Sequence, residues 1–236
     1  MPSHAITRTD EESAQAASAY SWKPTPTFVE ADPRFASTAD ENRSTTGMAM
    51  RVSDLLATRR PHRVDAARNF DAILAATRAL FAEQGTDVLL ADVAKRAGVG
   101  AATLYRHFPT REDLAEAVYV AEVDALCRYG EELAATHQPG KALEEWIRRF
   151  VTYMATKRAL LSALDRDSGA FLACKAALYE SGGPLLTAAQ ESGEARQDVN
   201  IDDVMRYVIG VTSSPFGSDE QRDRILRLAI DAVKRQ

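Results

Sequence analysis

Thr103, Tyr105, Arg106 and His107 are the residues whose types and spacing can do chemistry in this chain. Two hydroxyls, an imidazole and a permanently charged guanidinium offer hydrogen bonds that suit phosphate oxygens and base edges. Bond-making machinery is harder to assemble. The four histidines, His4, His62, His107 and His137, are scattered along the sequence. HExxH, GxSxG and phosphate-loop glycine patterns do not occur. Catalysis is therefore not expected, and neither a metal nor a cofactor is called for. The chemistry implied is recognition of a polyanion.

The stretch that must present these side chains runs from Asp87 to Leu114 and reads DVLLADVAKRAGVGAATLYRHFPTREDL. Its periodicity predicts a short helix over Leu90–Ala97 and a second over Ala101–His107, stopped by Pro109. Gly98-Val99-Gly100 lies between them. Val93, Ala94 and Ala97 face inward, and the two alanines are small enough for the helices to cross closely. Gly98 falls where the first helix must end, and glycine adopts the left-handed conformation at little cost. Val99 can fill the wedge. Leu104 and Phe108, at i and i+4, anchor the second helix. Thr110 and Asp113 have capping-box spacing, with Asp in place of the usual Glu. The helix they open would offer free N–H groups to a phosphate. Two short helices at a glycine turn form a helix-turn-helix, whose second helix can enter the DNA major groove.

The string AGVGAATLYRHFPTREDL resembles the DNA-binding signature of the TetR family of transcriptional regulators. The longer GTDVLLADVAKRAGVGAATLYRHFPTREDL is similar to its SbtR-like branch. The specific likeness covers about Ala66 to Tyr119; elsewhere only length, helical pattern and order agree. The resemblance implies an all-α fold, with a three-helix helix-turn-helix domain followed by a helical ligand-binding and dimerisation domain. It implies a double-stranded DNA operator as partner. Ala101, Ala102, Thr103 and Arg106 would lie nearest the bases. Tyr105, His107 and Arg111 would contact phosphates, with Thr110 helping at the helix start. Arg106 is either a bidentate reader of guanine or another phosphate contact. Tyr105 either contacts phosphate or packs on the preceding helix. One departure stands out. The family usually places Thr or Ser near Val88 and Leu89, and a polar residue near Ala91. Here the entry is apolar, so one phosphate contact is in doubt and the helix start must rely on Asp87 or on packing.

Charge supports this only weakly. The formal net charge is −5, and 27% of residues are charged. Residues 59–113 carry nine basic against seven acidic side chains, whereas residues 1–58 carry five against eight. The basic excess thus falls on the helix-turn-helix, although it is small. Three segments are expected: a disordered tail over 1–58, the DNA-binding domain over 59–112, and an effector-binding and dimerisation domain over 113–236. The tail mixes Ala, Ser, Thr, Pro and acidic residues without periodicity; Met48 and Met50 inside it are alternative translation starts. Arg59, Arg60 and Arg63 form either an arm along the DNA or a solvated linker. Cys127 and Cys174 are either inert buried thiols or a redox pair. No apolar run is long enough to cross a membrane, and no basic-then-apolar leader opens the chain. A cytoplasmic protein is expected.

Beyond the helix-turn-helix, a helix over Asp65–Gln84 completes the three-helix unit, and Gly85 closes it. A long helix from Thr110 to about Ala135 links the two parts. A break at 137–140 precedes a helix over Lys141–Lys157, then a shorter run over 158–164. A turn at 165–169 leads to Phe171–Glu180, a Ser-Gly-Gly-Pro break at 181–184, and another helix from Pro184. Helices over Ile201–Val211 and Gln221–Lys234 close the chain. Trp146, Phe150, Tyr153, Met154, Phe171 and Tyr179 either line an effector pocket or simply fill a core. The last two helices carry wide apolar faces, and the resemblance implies that they pair with a second copy as a homodimer. The expected function is a repressor released from a near-palindromic operator by an unidentified small molecule. The alternative is a dimeric DNA-binding regulator without an effector.

Overall fold

The computed structural model describes residues 52–84, 88–214 and 216–235. They form helices α1 (Val52–Arg59), α2 (Val64–Gln84), α3 (Leu90–Ala97), α4 (Ala101–His107), α5 (Arg111–Thr136), α6 (Pro139–Leu160), α7 (Gly169–Glu191), α8 (Ile201–Val211) and α9 (Asp219–Val233). A single 3-10 turn, Leu161–Ala163, follows α6. No strand occurs among the described residues; Ala195 and Lys234 make an isolated bridge. None of their helices is long and apolar enough to cross a membrane.

The expectation of an unstructured segment over 1–58 fails at its end. Residues 52–58 belong to α1, with Val52 buried and Leu55 and Leu56 packed on the core. The helix is too short to be stable alone and takes its order from tertiary contact with α5 and α7. Residues 1–51 lie outside the described residues, as do Gly85 and Asp87, so their expected roles are not placed. Arg59 and Arg60 are paired with acidic residues at the surface. Arg59 pairs with Glu116 of α5 at 2.7 Å. Arg60 grips Asp71 of α2 through two hydrogen bonds of 3.0 and 2.6 Å. These two arginines therefore do not form a free arm in this conformation.

α5 is the spine, and it packs against α6 and α7 along much of its length. Within it, Leu114, Val118, Leu126 and Leu133 are buried. Glu122 is buried as well, at 2% exposure. Its carboxylate meets Arg78 of α2 on one side and Arg149 of α6, at 3.6 Å, on the other. A buried charge persists only when it is paired, so this contact ties the DNA-facing helices to the second half of the chain.

The expected break at 137–140 narrows to His137 and Gln138, and the one at 181–184 is absent. Pro139 and Gly140 lie inside the first turn of α6, because proline at the start of a helix gives up an N–H that has no helical partner. The run over 158–164 is mostly the end of α6 and the 3-10 turn. The Ser-Gly-Gly-Pro stretch does not interrupt α7, which runs unbroken from Gly169 to Glu191. Packing outweighs propensity there. A Cβ on Gly182 would lie 2.6 Å from the Trp146 ring and 2.9 Å from Ile201, so glycine is what lets α6, α7 and α8 close together. Ser181 Oγ also accepts a hydrogen bond from Trp146 Nε1 at 3.1 Å. Elsewhere the periodic reading matches to within a residue or two.

Candidate nucleic-acid interface

The turn between α3 and α4 is built from backbone hydrogen bonds. Gly98 sits at φ 68, ψ 27, in the left-handed region. Its N–H donates to the Lys95 carbonyl at 3.2 Å, and the Val99 N–H to the Ala94 carbonyl at 3.0 Å. This pair of bonds is the Schellman arrangement, which closes a helix and turns the chain sharply. No side chain caps the start of α3; its N-cap is Leu89, so the apolar entry relies on packing, with Val88 and Val93 buried. Arg96 clamps Glu83 through bonds of 2.6 and 2.8 Å, fixing α3 against α2.

α4 is anchored on one side only. Leu104 and Phe108 are buried, and Phe108 stacks on Phe70 of α2 with ring centroids 5.2 Å apart. Ala101, Ala102 and Arg106 are exposed, and Thr103 is half-buried. Tyr105 is 51% exposed, too open for a core side chain. Thr110 and Asp113 form the complete capping box: the Thr110 hydroxyl accepts from the Asp113 N–H at 3.0 Å, and the Thr110 N–H donates to the Asp113 carboxylate at 3.2 Å. Arg111, half-buried, is the first residue of α5. Lys95, Arg106 and Arg111 have no carboxylate partner among the described residues. A helix with one buried edge thus holds out an unpaired guanidinium, a phenol and small residues that permit close approach.

His107 differs from its three neighbours. It is half-buried, its ring edge-on to Phe70 at 6.2 Å, and its Nε2 is buried with no hydrogen-bond partner. Burial, then the positive charge of Arg106, pushes its pKa below the ordinary 6.5. A phosphate contact through Nε2 would require the ring to turn.

The six residues expected to line a pocket are not all gathered in one place. Trp146, Phe150 and Tyr153 are buried in a row on α6: Trp146 stacks on Phe150 at 5.3 Å, and Phe150 leans on Tyr153 at 5.7 Å. Met154 and Phe171 are half-buried beside them, and Phe171 stacks on Tyr119 of α5 at 5.3 Å. Tyr179 lies apart, its hydroxyl donating to Asp202 of α8 at 2.7 Å. A cleft of about 400 Å³ opens elsewhere, between the start of α6, the turn after α7 and the end of α9. It is lined by Leu143, Ile147, Ile230, Val233 and paired charges, and by none of the six. Two further charged side chains reach between helices, Lys157 over the Phe171 ring and Glu122 between Arg78 and Arg149. Lys157 continues the α6 stripe at i+4 from Tyr153, and that register was the available signal. Glu122 gave none, because its partners lie on other helices.

The cysteines are free thiols in apolar surroundings. Cys174 is buried and Cys127 half-buried, with no disulfide. Burial, first of all, pushes their pKa values up to about 12 and about 11.

A one-sided recognition helix after a glycine turn defines a helix-turn-helix DNA-binding protein. Comparison with known proteins narrows that class. Residues 73–118 match the model of bacterial regulatory proteins of the tetR family, and residues 138–235 match the C-terminal domain of SbtR-like transcriptional regulators. A TetR transcriptional regulator of known structure from Streptomyces coelicolor is 35% identical, over 70% of this chain and 97% of that one, with a TM-score of 0.61. A TetR transcription regulatory protein from Mycobacterium vanbaalenii is 33% identical, over 74% of this chain and 100% of that one, also at 0.61. The TetR family protein CprB from Streptomyces coelicolor shares the fold at 20% identity, over 73% of this chain and 92% of that one, with a TM-score of 0.56. No curated protein sequence matches the chain. The chain belongs to the TetR family of transcriptional regulators, and its C-terminal half is of the SbtR-like type. That family is one of DNA-binding regulators, not of enzymes.

Proposed function

We propose that the protein is a cytoplasmic, homodimeric repressor that a small molecule releases from a near-palindromic operator. The observation that carries the DNA-reading part is Arg106 on the exposed side of α4, without a carboxylate partner among the described residues and next to the exposed Tyr105. In this reading Ala101, Ala102, Thr103 and Arg106 face the bases. Tyr105, Arg111 and the first turn of α5 at Thr110 hold phosphates, and His107 joins them once its ring turns outward. The DNA-binding domain spans 59–112, and 113–236 forms the effector and dimer domain.

Dimerisation is supported by α8 and α9. Their inner residues Val204, Val208, Ala229 and Val233 are buried, while Tyr207, Ile209 and Leu228 remain exposed, Leu228 at 66%. A second copy of the same pair would cover them, and a twofold dimer sets two copies of α4 one helical turn of DNA apart. Effector release requires a link between the halves, and the Arg78–Glu122–Arg149 contact offers one. A ligand moves that link only through its differential affinity for the two arrangements.

Gel-shift and footprinting assays on the intergenic DNA beside the protein's own coding sequence test the reading. The expected result is a dimer-sized complex on an inverted repeat, with affinity falling steeply as salt rises. Failure to protect any such DNA in preference to random duplex would refute it.

A further inference from the structure

We propose that the aromatic core between α5, α6 and α7 receives the carboxylate of a small, otherwise apolar organic acid, held by Lys157 Nζ and the hydroxyls of Tyr119 and Tyr153. The proposal rests on the effector-responsive reading above and names the ligand's chemical class.

Three polar groups in this core lack an anionic partner among the described residues. The hydroxyls of Tyr119 and Tyr153 are buried and have no partner beyond each other, their rings being neighbours at 6.2 Å. The Lys157 ammonium lies 5.9 Å from the Tyr119 ring centroid and 5.0 Å from that of Phe171. No carboxylate pairs with it among the described residues. The acidic groups in the vicinity are engaged elsewhere: Glu116 with Arg59 and Asp124 with Arg128. Ring faces attract a cation, but a quadrupole replaces lost hydration less well than a full negative charge does.

The protonation states fit an anionic guest. Burial first, with Arg166 and Lys175 adding positive potential, lowers the Lys157 pKa to about 8, so the ammonium still predominates at neutral pH. Burial pushes both phenols upward, and they stay protonated donors. One cation and two hydroxyl donors in the same core are the groups a single carboxylate can accept from. The surrounding Phe150, Met154 and Phe171 suit an apolar body, not a polyanion. Phe171 is the natural cover. It is half-buried, lies in the first turn of α7, and rests over Lys157.

Thermal melting of the full chain with matched ligand pairs tests this: benzoate, 3-phenylpropionate and octanoate against their amides. At least one acid is expected to raise Tm in a saturable way, with its amide at least tenfold weaker. In Lys157→Met the acid response should fall at least tenfold, and Lys157→Arg should restore part of it. Tyr119→Phe and Tyr153→Phe should each weaken it several-fold. Circular dichroism and the gel shift verify that each variant is folded. An amide matching its acid, or Lys157→Met responding like wild type, overturns the carboxylate assignment while leaving an effector site in place. Silence from every acid overturns it too, and an intact gel shift in that case leaves the DNA-binding reading standing.

Discussion

Arg106 and His107 are adjacent on α4 yet differ in kind. Arg106 is exposed and unpaired among the described residues, so its geometry is free to be set by DNA. Arg106→Ala is expected to cost about 1–3 kcal/mol of operator binding and to relax preference at one base position, measured by binding to a substituted operator set. Uniform weakening, with the salt slope reduced by about one, would make Arg106 a phosphate contact instead. His107 is governed by the fold. Its pKa in the folded chain is depressed, so the unfolded chain takes up the proton first as pH falls. The stability due to neutral His107 is complete above its ordinary value of 6.5 and is lost as pH drops through the lower folded value. Melting curves from pH 7.5 to 5.5 should show a loss in wild type that is smaller in His107→Gln.

At the scale of elements, two glycines are required for opposite reasons. Gly98 has open space around a hypothetical Cβ but a left-handed backbone, whereas Gly182 has ordinary helical geometry and no room. Gly98→Ala should cost about 1 kcal/mol from backbone strain alone, and Gly98→Asn less. Gly182→Ala should cost roughly 1–3 kcal/mol from overpacking against Trp146. Urea unfolding midpoints measure both, and a Gly182→Ala variant as stable as wild type would contradict the overpacking. Gly98 was legible because a helix stop shows in the local string. Gly182 was misread as a breaker because its reason lies on α6 and α8.

For the whole molecule, the exposed apolar half of α8 and α9 and the buried Glu122 contact set the expected behaviour. Leu228→Glu places a charge on the face proposed to meet its copy, where two such charges would approach each other across the twofold. Sedimentation should show a shift toward monomer at micromolar concentration, and operator affinity should fall because one reading head no longer positions the other. A variant that sediments like wild type would move the dimer interface elsewhere.

By itself the sequence determined most of the helices and their order, the glycine turn and the family, because each is written in local periodicity, capping and contiguous residue identity. The start of α5 follows from the hydrogen bonds between Thr110 and Asp113, three residues apart. Tertiary structure alone decided that α1 folds onto α5 and α7, that Arg59 and Arg60 pair with Glu116 and Asp71, that α7 runs through Ser-Gly-Gly-Pro, and that Lys157 ends against aromatic rings with no counter-ion among the described residues. Each of those outcomes depends on a partner distant in sequence. Burial and charge pairing are set by what the fold brings alongside, which local spacing does not encode.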